Sequence, residues 1–540
     1  MTLFYNAFKE VLIYIPLSII GIWRWSYWIV RRTSAALYRP EHTRWPDELY
    51  KRPHVSLVTP VYNEDPVVFE EAMRSWIANG VDEIIAVIDK ANTRHIVDFE
   101  RRYASINHGK TKCRLVVTPK PGKRAALCDG IVQAKGDIIA LVDSDTIWDE
   151  SVLEKSLPLF LNEQVGGATV GQRIQNPDNL SNVLFDLLLW TRYKEEVPFL
   201  LAMGKAFNTL SGRTALYRKD AILNPKYDNI HDLRHERFLG TRGVSGDDKR
   251  LTHLILEQGW LVQYAKGATV TTPGIGNLKA FMKQRLRWTR NSWRADLRAV
   301  TRGWVWQHPA LAFFMIDRFF QPFIMLIGPM ACLLAIIARD WLAVGILVAW
   351  WFFSRTVRLF GYFKKHPSRL RYLPGYILYT YANALLKIYA LATLLEHSWA
   401  TRWHKSRMRK TNWRKVITLS SGSLAVIAFV FVIYLFVNGI AHTTGANIKT
   451  PLAVQSSEFN QKLTFTTDSP LVPKLPANTV LPSGVKSYTV QQGDTLLSLS
   501  QRFQMSSTAI KKLNGFRDPD QISVGQVLLY YPVTTAGAAQ

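Results

Sequence analysis

The sequence is poor in cysteine and in acidic side chains. Its 540 residues include 3 cysteines, Cys113, Cys128 and Cys332, whose wide spacing excludes a zinc cluster and a disulfide framework. Aspartate and glutamate number 41 against 67 lysines and arginines, which gives a formal net charge of +26. Such a charge suits nucleic acid, anionic lipid or a polyanionic product. No nucleic-acid-binding motif is present and much of the basic excess flanks apolar segments, so a membrane partner is favoured and nucleic acid is not expected.

The first apolar segment, residues 11–30, is long enough to cross a bilayer. Arg31 and Arg32 follow it, and because basic residues are enriched on the cytoplasmic side, they place the next part of the chain in the cytoplasm. A secretory signal peptide is disfavoured, since the positive charge follows the apolar stretch. Arg24 interrupts the segment, so it either snorkels to the interface or faces a protein interior.

A second apolar region predicts further membrane segments. Residues 319–338 and 341–363 are two candidate spans joined by a tight hairpin. Residues 372–395 are predicted as a re-entrant or interfacial helix, because a third span here would place the basic stretch 402–415 outside the cytoplasm. Residues 416–440 then form the last span and carry the chain out of the cytoplasm. Asp317 and Arg318, which precede the first of these spans, are expected to face a protein interior or a pore.

The region from 53 to about 275 has the pattern of a soluble α/β domain. Strands alternate with helices, which predicts a parallel, doubly wound sheet. The central strand, Ile138 to Val142, is wholly apolar and ends at Asp143 and Asp145. Ligands collect at the carboxyl ends of such strands, and two carboxylates there suit a divalent cation bound to phosphate. A strand that ends in a solvated acidic turn is the alternative.

Three other places carry candidate chemistry. Asp89 ends a second strand, where a nucleoside could be held. Gly122-Lys123-Arg124 opens a helix, where backbone N–H groups and two cations could meet a phosphate, although a solvated helix start is the simpler alternative. The basic, tryptophan-rich segment 279–298 is, as a charge pattern alone, typical of an amphipathic helix on anionic lipid.

Taken together, residues 50–415 resemble the membrane-embedded, processive family 2 glycosyltransferases, the group of hyaluronan, chitin-oligosaccharide, cellulose and mannuronan synthases. The ordered motifs are Pro60-Val61-Tyr62-Asn63-Glu64, Asp89, Gly122-Lys123-Arg124, Asp143-Ser144-Asp145, Gly246-Asp247-Asp248, Gln284-x-x-Arg287-Trp288 and Trp399-Ala400-Thr401-Arg402. The segment 246–252 looks closest to the hyaluronan and Nod-factor branch, whereas Leu210-Ser211-Gly212-Arg213 is similar to mannuronan and type 3 capsule synthases. Ala400 departs from the glycine usual in the last motif.

The resemblance implies an inverting, metal-dependent hexosyltransferase with a GT-A (Rossmann-like) fold. Its implied metal ligands are Asp143 and Asp145, for Mn²⁺ or Mg²⁺. The implied catalytic pair is Asp247 and Asp248, with Asp248 as the general base for the acceptor hydroxyl. The implied donor-binding residues are Asp89, Lys123, Arg124, Asp143, Gln284, Arg287, Trp288, Thr401 and Arg402. The implied acceptor residues are Ser211, Gly212, Arg213 and Trp288.

The C-terminal segment has a different character. Residues 441–486 are rich in Thr, Ser, Pro and Asn, which is typical of a flexible linker. Residues 487–532 predict a β-α-α-β unit in which Asp494 caps the first helix. The motif from Tyr488 to Leu496 resembles a LysM module, which implies binding of peptidoglycan or another GlcNAc-containing glycan. A module that serves only as a stabiliser is the alternative.

The predicted organisation is therefore an N-terminal transmembrane helix (1–32), a GT-A domain with an interfacial helix (50–300), a transmembrane and interfacial channel region (301–440), the linker and the LysM domain. The predicted function is a processive polysaccharide synthase of a bacterial inner membrane, with a cytoplasmic catalytic domain and an extracytoplasmic LysM. A UDP-linked donor, the growing polysaccharide and membrane lipid are its expected partners, and a uronic-acid-containing polymer its favoured product. The alternatives are a non-processive transferase acting on a lipid acceptor and a non-enzymatic LysM cell-wall anchor.

Overall fold

The computed structural model describes residues 19–46, 51–104, 109–119, 122–239, 241–242, 246–337, 339–395, 485–505, 507–514, 522 and 525–531. The chain falls into two compact units, Met1–Ala446 and Asn447–Gln540. Several predicted features lie outside the described residues: the first part of the N-terminal span, Thr401 and Arg402, the last span at 416–440, and nearly all of the linker.

The larger unit is built on a mixed β-sheet. The strands of this unit are, in chain order, β1 (Val55–Val61), β2 (Glu83–Asp89), β3 (Lys112–Thr118), β4 (Ile138–Val142), β5 (Ile147–Trp148), β6 (Val165–Ile174), β7 (Thr214–Arg218), β8 (Arg237–Phe238), β9 (Thr241–Arg242) and β10 (Leu261–Thr272). Among the described residues, eight of them form one sheet in the order β3-β2-β1-β4-β7-β6-β10-β5, and β8 pairs with β9 in a separate hairpin.

The expectation of an all-parallel sheet is wrong. Strands β3, β2, β1 and β4 are parallel, as the alternation of strands and helices predicts. Beyond β4 the direction reverses: β7 is antiparallel to both β4 and β6, while β10 is parallel to β6 and antiparallel to β5. An apolar run records that a strand is buried but not the direction of its partner, so the periodicity could not reveal this reversal.

Helices cover both faces of the sheet. The helices of this unit are α1 (Ile19–Leu37), α2 (Pro66–Ala78), α3 (Thr93–Phe99), α4 (Lys123–Gln133), α5 (Val152–Ser156), α6 (Leu180–Thr191), α7 (Val197–Gly204), α8 (Lys219–Ile222), α9 (Asn229–His235), α10 (Asp247–Glu257), α11 (Leu278–Arg302), α12 (Pro309–Ile337), α13 (Trp341–Lys365) and α14 (Leu373–Ala392). Helix α2 packs on one face through Met73 and Trp76, and α4 packs on the other through Leu127 and Ile131. The central strand β4 is buried along its whole length, as its apolar sequence predicts.

Gly130 sets the distance between α4 and the sheet. A Cβ at this position would lie 2.4 Å from Val58 Cγ1 and 2.8 Å from Val87 Cγ2. We therefore expect Gly130→Ala to destabilise the chain by about 1–3 kcal/mol through overpacking, measured by thermal unfolding. Gly276→Ala is the matched control, because no atom lies within 4 Å of its added Cβ and its backbone needs no positive φ. Equal melting temperatures for the two variants would contradict this prediction.

Two of the described helices, α12 and α13, are long and apolar enough to cross a membrane, judged by length and composition. Helix α12 begins at Pro309, earlier than the predicted span, and Asp340 accepts a hydrogen bond from Ala343 N at the start of α13. Asp317 on α12 pairs with Arg24 on α1 at 2.5 Å, so both side chains face a protein interior. The interfacial placement of α14 stays a prediction.

The smaller unit contains an antiparallel pair and two helices. Strand β11 (Lys486–Thr489) pairs with β12 (Val527–Tyr530), and the helices are α15 (Leu496–Phe503) and α16 (Ser507–Asn514). The predicted cap is wrong: Thr495, not Asp494, is the N-cap of α15 and forms a capping box with Ser498. Asp494 instead accepts hydrogen bonds from Gln491 N (2.8 Å) and from the Tyr488 hydroxyl (2.9 Å), which holds the turn before the helix.

Candidate active site

A cleft opens where β4 ends, and charged groups meet in it. Asp143 follows the last residue of β4, and Lys123, the first residue of α4, donates to Asp143 Oδ1 at 2.6 Å. The same ammonium lies 3.4 Å from Asp247 Oδ2. Burial alone would lower the pKa of Lys123, but Asp143, Asp247 and Asp248 outweigh it and raise that pKa. The lining residues of the cleft include these four charged groups together with apolar Leu127, Leu141, Val142 and Leu251.

Asp145 lies in the same loop and is largely buried. Burial, followed by repulsion from Asp143 and Glu64, raises the pKa of Asp145 to about 6. Glu64 is held nearby, since Ser144 Oγ donates to Glu64 Oε2 at 2.8 Å. Glu64 belongs to one of the sequence motifs, but no role was predicted for it. Its position soon after β1, a strand that pairs with β4, is the feature of the sequence that indicates proximity to Asp145.

These carboxylates fit a divalent cation that is shared with phosphate. The mutual repulsion at Asp145 is the kind that a cation relieves. No cluster of three or more His, Cys, Asp or Glu ligands occurs among the described residues, so Asp143 and Asp145 would be a partial ligand set. Mg²⁺ and similar ions are commonly held by one or two carboxylates and completed by substrate phosphates and water. The residues present therefore fit the metal implied by the family resemblance.

Two adjacent acids, whose pKa values are shifted in opposite directions, line another part of the cleft. Gly246 adopts a positive φ of 85° as the cap of α10, so Asp247 and Asp248 occupy the first turn. Burial favours protonation of both, but Lys123 and then Arg124 keep the pKa of Asp247 low. For Asp248, burial and the neighbouring Asp247 prevail, and the pKa is raised. Paired acids whose environments separate their pKa values are typical of acid–base chemistry.

The loop before β7 holds Asp248 from one side. Gly212 N donates to Asp248 Oδ2 at 3.3 Å, and Leu210 N donates to Thr252 Oγ1 at 2.9 Å. A Cβ at Gly212 would lie 3.3 Å from Lys123 Nζ, so a glycine allows this close approach. Ser211 Oγ lies 3.5 Å from Arg213 N.

An aromatic wall links this loop to α11. The Arg213 guanidinium lies 4.7 Å from the ring centre of Phe185 and donates to Gln172 Oε1 at 3.2 Å. Trp288 packs against the same Phe185, with ring centres 5.5 Å apart. Arg213 and Trp288, predicted from separate motifs, are thus both brought against one aromatic ring.

The remaining residues predicted to bind the donor do not share one environment. Arg287 on α11 is largely buried, which lowers its pKa, and Asp247, Asp248 and Asp143 partly compensate. Gln284 Oε1 is buried and has no hydrogen-bond partner among the described residues. Lys123 lines the cleft, whereas Arg124 pairs with Glu236 at 2.5 Å. Asp89 ends β2 and accepts from Ala91 N at 3.0 Å.

Two domain families and several known proteins are similar to parts of this chain. Residues 53–291 match the family described as "Glycosyltransferase like family 2", and residues 488–529 match the LysM domain. A type 2 glycosyltransferase of Zymoseptoria tritici is 26% identical over 428 residues, which cover 72% of this chain and 85% of the relative. A hyaluronan synthase of Streptococcus pyogenes is 28% identical over 395 residues, which cover 71% of this chain and 90% of the relative. Among solved structures, the mannosyltransferase PcManGT of Pyrobaculum calidifontis, in complex with GDP-Man and Mn²⁺, is similar with a TM-score of 0.43 and 17% identity, over 70% of this chain and 96% of that one.

Proposed function

We propose that this chain, a glycosyltransferase that carries a family 2 domain and a C-terminal LysM domain, is a processive polysaccharide synthase. It transfers sugar from a nucleoside-diphosphate donor, UDP-linked, to a growing polymer with inversion at the transferred carbon. The polymer leaves through the membrane region, and its repeat contains a uronic acid, as in a hyaluronan-, mannuronan- or type 3 capsule-like product. The similarity to a relative named hyaluronan synthase supports this choice of product class.

Both resemblances drawn from the sequence motifs are confirmed at the level of the domains. The prediction that the chain is an enzyme of the glycosyltransferase class is confirmed as well, which sets aside a purely structural cell-wall anchor. The predicted GT-A fold is confirmed, with the mixed sheet described above.

The observation that carries the proposal is the position of α11. In its first half, this helix brings Arg287 close to the cleft carboxylates Asp143, Asp247 and Asp248. Further along, Trp293 Nε1 donates to Lys387 O of α14 at 3.0 Å. The same helix meets α12 through Arg318, which donates to Ser292 Oγ at 2.8 Å. One helix therefore touches the donor cleft, the long apolar helix α12 and the neighbouring α14, which is the connection that transfer coupled to extrusion requires.

Asp143 and Asp145 would hold Mn²⁺ or Mg²⁺, which when bound supplies positive charge to the departing diphosphate. Lys123 adds a fixed cation beside Asp143, and Arg287 adds a second from α11. Both cations act where negative charge develops on the leaving group. Asp89, at the end of β2, takes the nucleoside.

Asp248 receives the proton of the acceptor hydroxyl as that hydroxyl attacks. Its raised pKa makes it a better proton acceptor than an ordinary carboxylate. Gly212 N fixes one of its oxygens, and Asp247 stays ionised beside Lys123. Trp288 and Arg213, which both contact Phe185, hold the acceptor terminus.

The chain is placed by this proposal in a bacterial inner membrane as a multi-pass protein. Helices α12 and α13 are the spans supported by length and composition. The basic flanks place the catalytic domain in the cytoplasm, and the proposed last span carries the LysM domain outside, where it binds peptidoglycan or another GlcNAc-containing glycan.

Incubation of the purified full chain with labelled donors and Mn²⁺ tests this function. UDP-glucuronate, UDP-N-acetylglucosamine, UDP-glucose and GDP-mannuronate are supplied singly and in pairs, and products are sized by electrophoresis. We expect a ladder or a high polymer that requires a uronic-acid donor. Free sugar alone would contradict the proposal, and a single sugar moved to lipid would establish the non-processive alternative.

A further inference from the structure

Lys249 follows the proposed base, Asp248, in the chain, but its side chain contacts a different element, α11. Its side chain is buried, with 5% exposure, between α10 and α11. Its ammonium donates to Asp296 Oδ1 at 2.5 Å and to Ser292 Oγ at 2.8 Å. Asp248 is held by the loop at Gly212, and Lys249, about 100° further round α10, is held by α11. The first turn of α10 is thus held by two different elements through two adjacent side chains.

The same cluster reaches the first candidate span. Ser292 Oγ, which accepts from Lys249, also accepts from Arg318 of α12 at 2.8 Å. The next residue back, Asp317, pairs with Arg24 of α1. Polar contacts therefore run from the residue beside the proposed base to Arg318 of α12, and the neighbouring residue of α12 is in turn paired with α1.

Burying a charged lysine side chain costs free energy. Removal of a lysine from water carries a penalty that an ion pair repays only with good geometry, so an apolar pair would often be equally stable. Burial is accordingly the main influence on Lys249 and lowers its pKa to about 8, although Asp296 opposes this. Stability alone therefore explains the buried Lys249–Asp296 pair poorly. A requirement to fix the orientation of the first turn of α10 explains it fully.

We propose that Lys249 and Asp296 are positioning residues that hold Asp248 in line with the acceptor, and that Ser292 and Arg318 tie this alignment to the first candidate span. The inference rests on the proposed function, because it takes Asp248 as the base. It assigns a role to residues outside the acids, the glutamine and the tryptophan of the recognised motifs.

The test compares two ion pairs that join the same two helices. Lys249→Met combined with Asp296→Asn removes both charges of the buried pair together. Glu257→Gln combined with Arg302→Met removes the pair at the far end of α10, where the partners are 3.1 Å apart and partly exposed. We expect the first double variant to lower kcat about 100-fold with the donor KM within about twofold, since small misplacements of catalytic groups cost this much. The control pair is expected to keep wild-type kcat.

Hydrogen exchange gives a readout that does not need turnover. We expect peptides covering 247–250 to exchange at least about tenfold faster in the first double variant than in the control, while nucleotide affinity with Mn²⁺ stays unchanged. Ser292→Ala should lower kcat by about threefold to tenfold, because it removes the acceptor shared with Arg318. Equal exchange in the two double variants would overturn the positioning role, whether or not wild type makes polymer. Absence of any transfer by wild type would instead overturn the proposed function.

Discussion

Asp248→Asn is expected to lower the rate of sugar transfer about 1,000-fold while nucleotide binding persists. General-base catalysis contributes on this scale, and an amide cannot take up the acceptor proton. The amide has the same shape as the carboxylate and its oxygen can still accept from Gly212 N, but the second acceptor, which takes the hydrogen bond from Lys249 N at 2.8 Å, is lost. Turnover of labelled donor and isothermal titration with UDP and Mn²⁺ measure the two quantities separately.

Asp220→Asn is the control for this experiment. Asp220 is an exposed acid on α8, outside the residues that line the cleft, so its loss of charge should leave turnover unchanged. If Asp248→Asn kept more than about a tenth of wild-type kcat, Asp248 would not be the base. Asp247 would then be the acid to examine, although Lys123 and Arg124 lower its pKa and with it its basicity.

The second large effect concerns the metal. We expect Asp145→Asn to weaken Mn²⁺-dependent binding of UDP by about 100-fold or more, because loss of an outer-shell partner alone can cost up to that much in metal affinity. Binding of UDP without Mn²⁺ should change little, since Lys123 and Asp89 stay in place. The measurement is a pair of UDP titrations, with Mn²⁺ and with EDTA.

Asp149→Asn serves as the matched control, because Asp149 lies on the same segment after β4 but its side chain is exposed. It should bind UDP and Mn²⁺ as wild type does. An Asp145→Asn variant with unchanged Mn²⁺ dependence would show that the metal is held elsewhere. It would also remove the physical reason for the buried, mutually repelling carboxylates at Asp145.

Local signals in the sequence were sufficient wherever burial was uniform along an element. The bounds of β4 were predicted to the residue, because a wholly apolar run must be buried from its first to its last position. The bounds of β1 were predicted as well, although Ser56, Thr59 and Pro60 interrupt its apolar residues. The bounds of β12 were also predicted to the residue, although only its second residue is fully buried. Strands β6, β7 and β10 were not predicted: they carry glycines, threonines and glutamines whose burial depends on neighbours far along the chain.

The candidate site shows the same division between what local sequence signals predict and what contacts between distant residues decide. The residue types and their order indicated the chemistry, and the structure brings Lys123, Asp143, Asp247 and Asp248 together in one cleft. It also separates a pair that the sequence joins, since Arg124 turns to Glu236 while Lys123 enters the cleft. Adjacent residues on a helix point about 100° apart, so contiguity in a motif does not imply a common target.

By itself, the sequence determined the strand that carries the acids, the helices able to cross a membrane and the identity of the motif residues. These depend on composition and on periods of a few residues. Only the tertiary structure decided the reversal of the sheet after β4, the proximity of Glu64 to Asp145, and the clamp of Lys249 between α10 and α11. Such features depend on contacts between residues distant in the chain, and no local pattern encodes which partners those residues will meet.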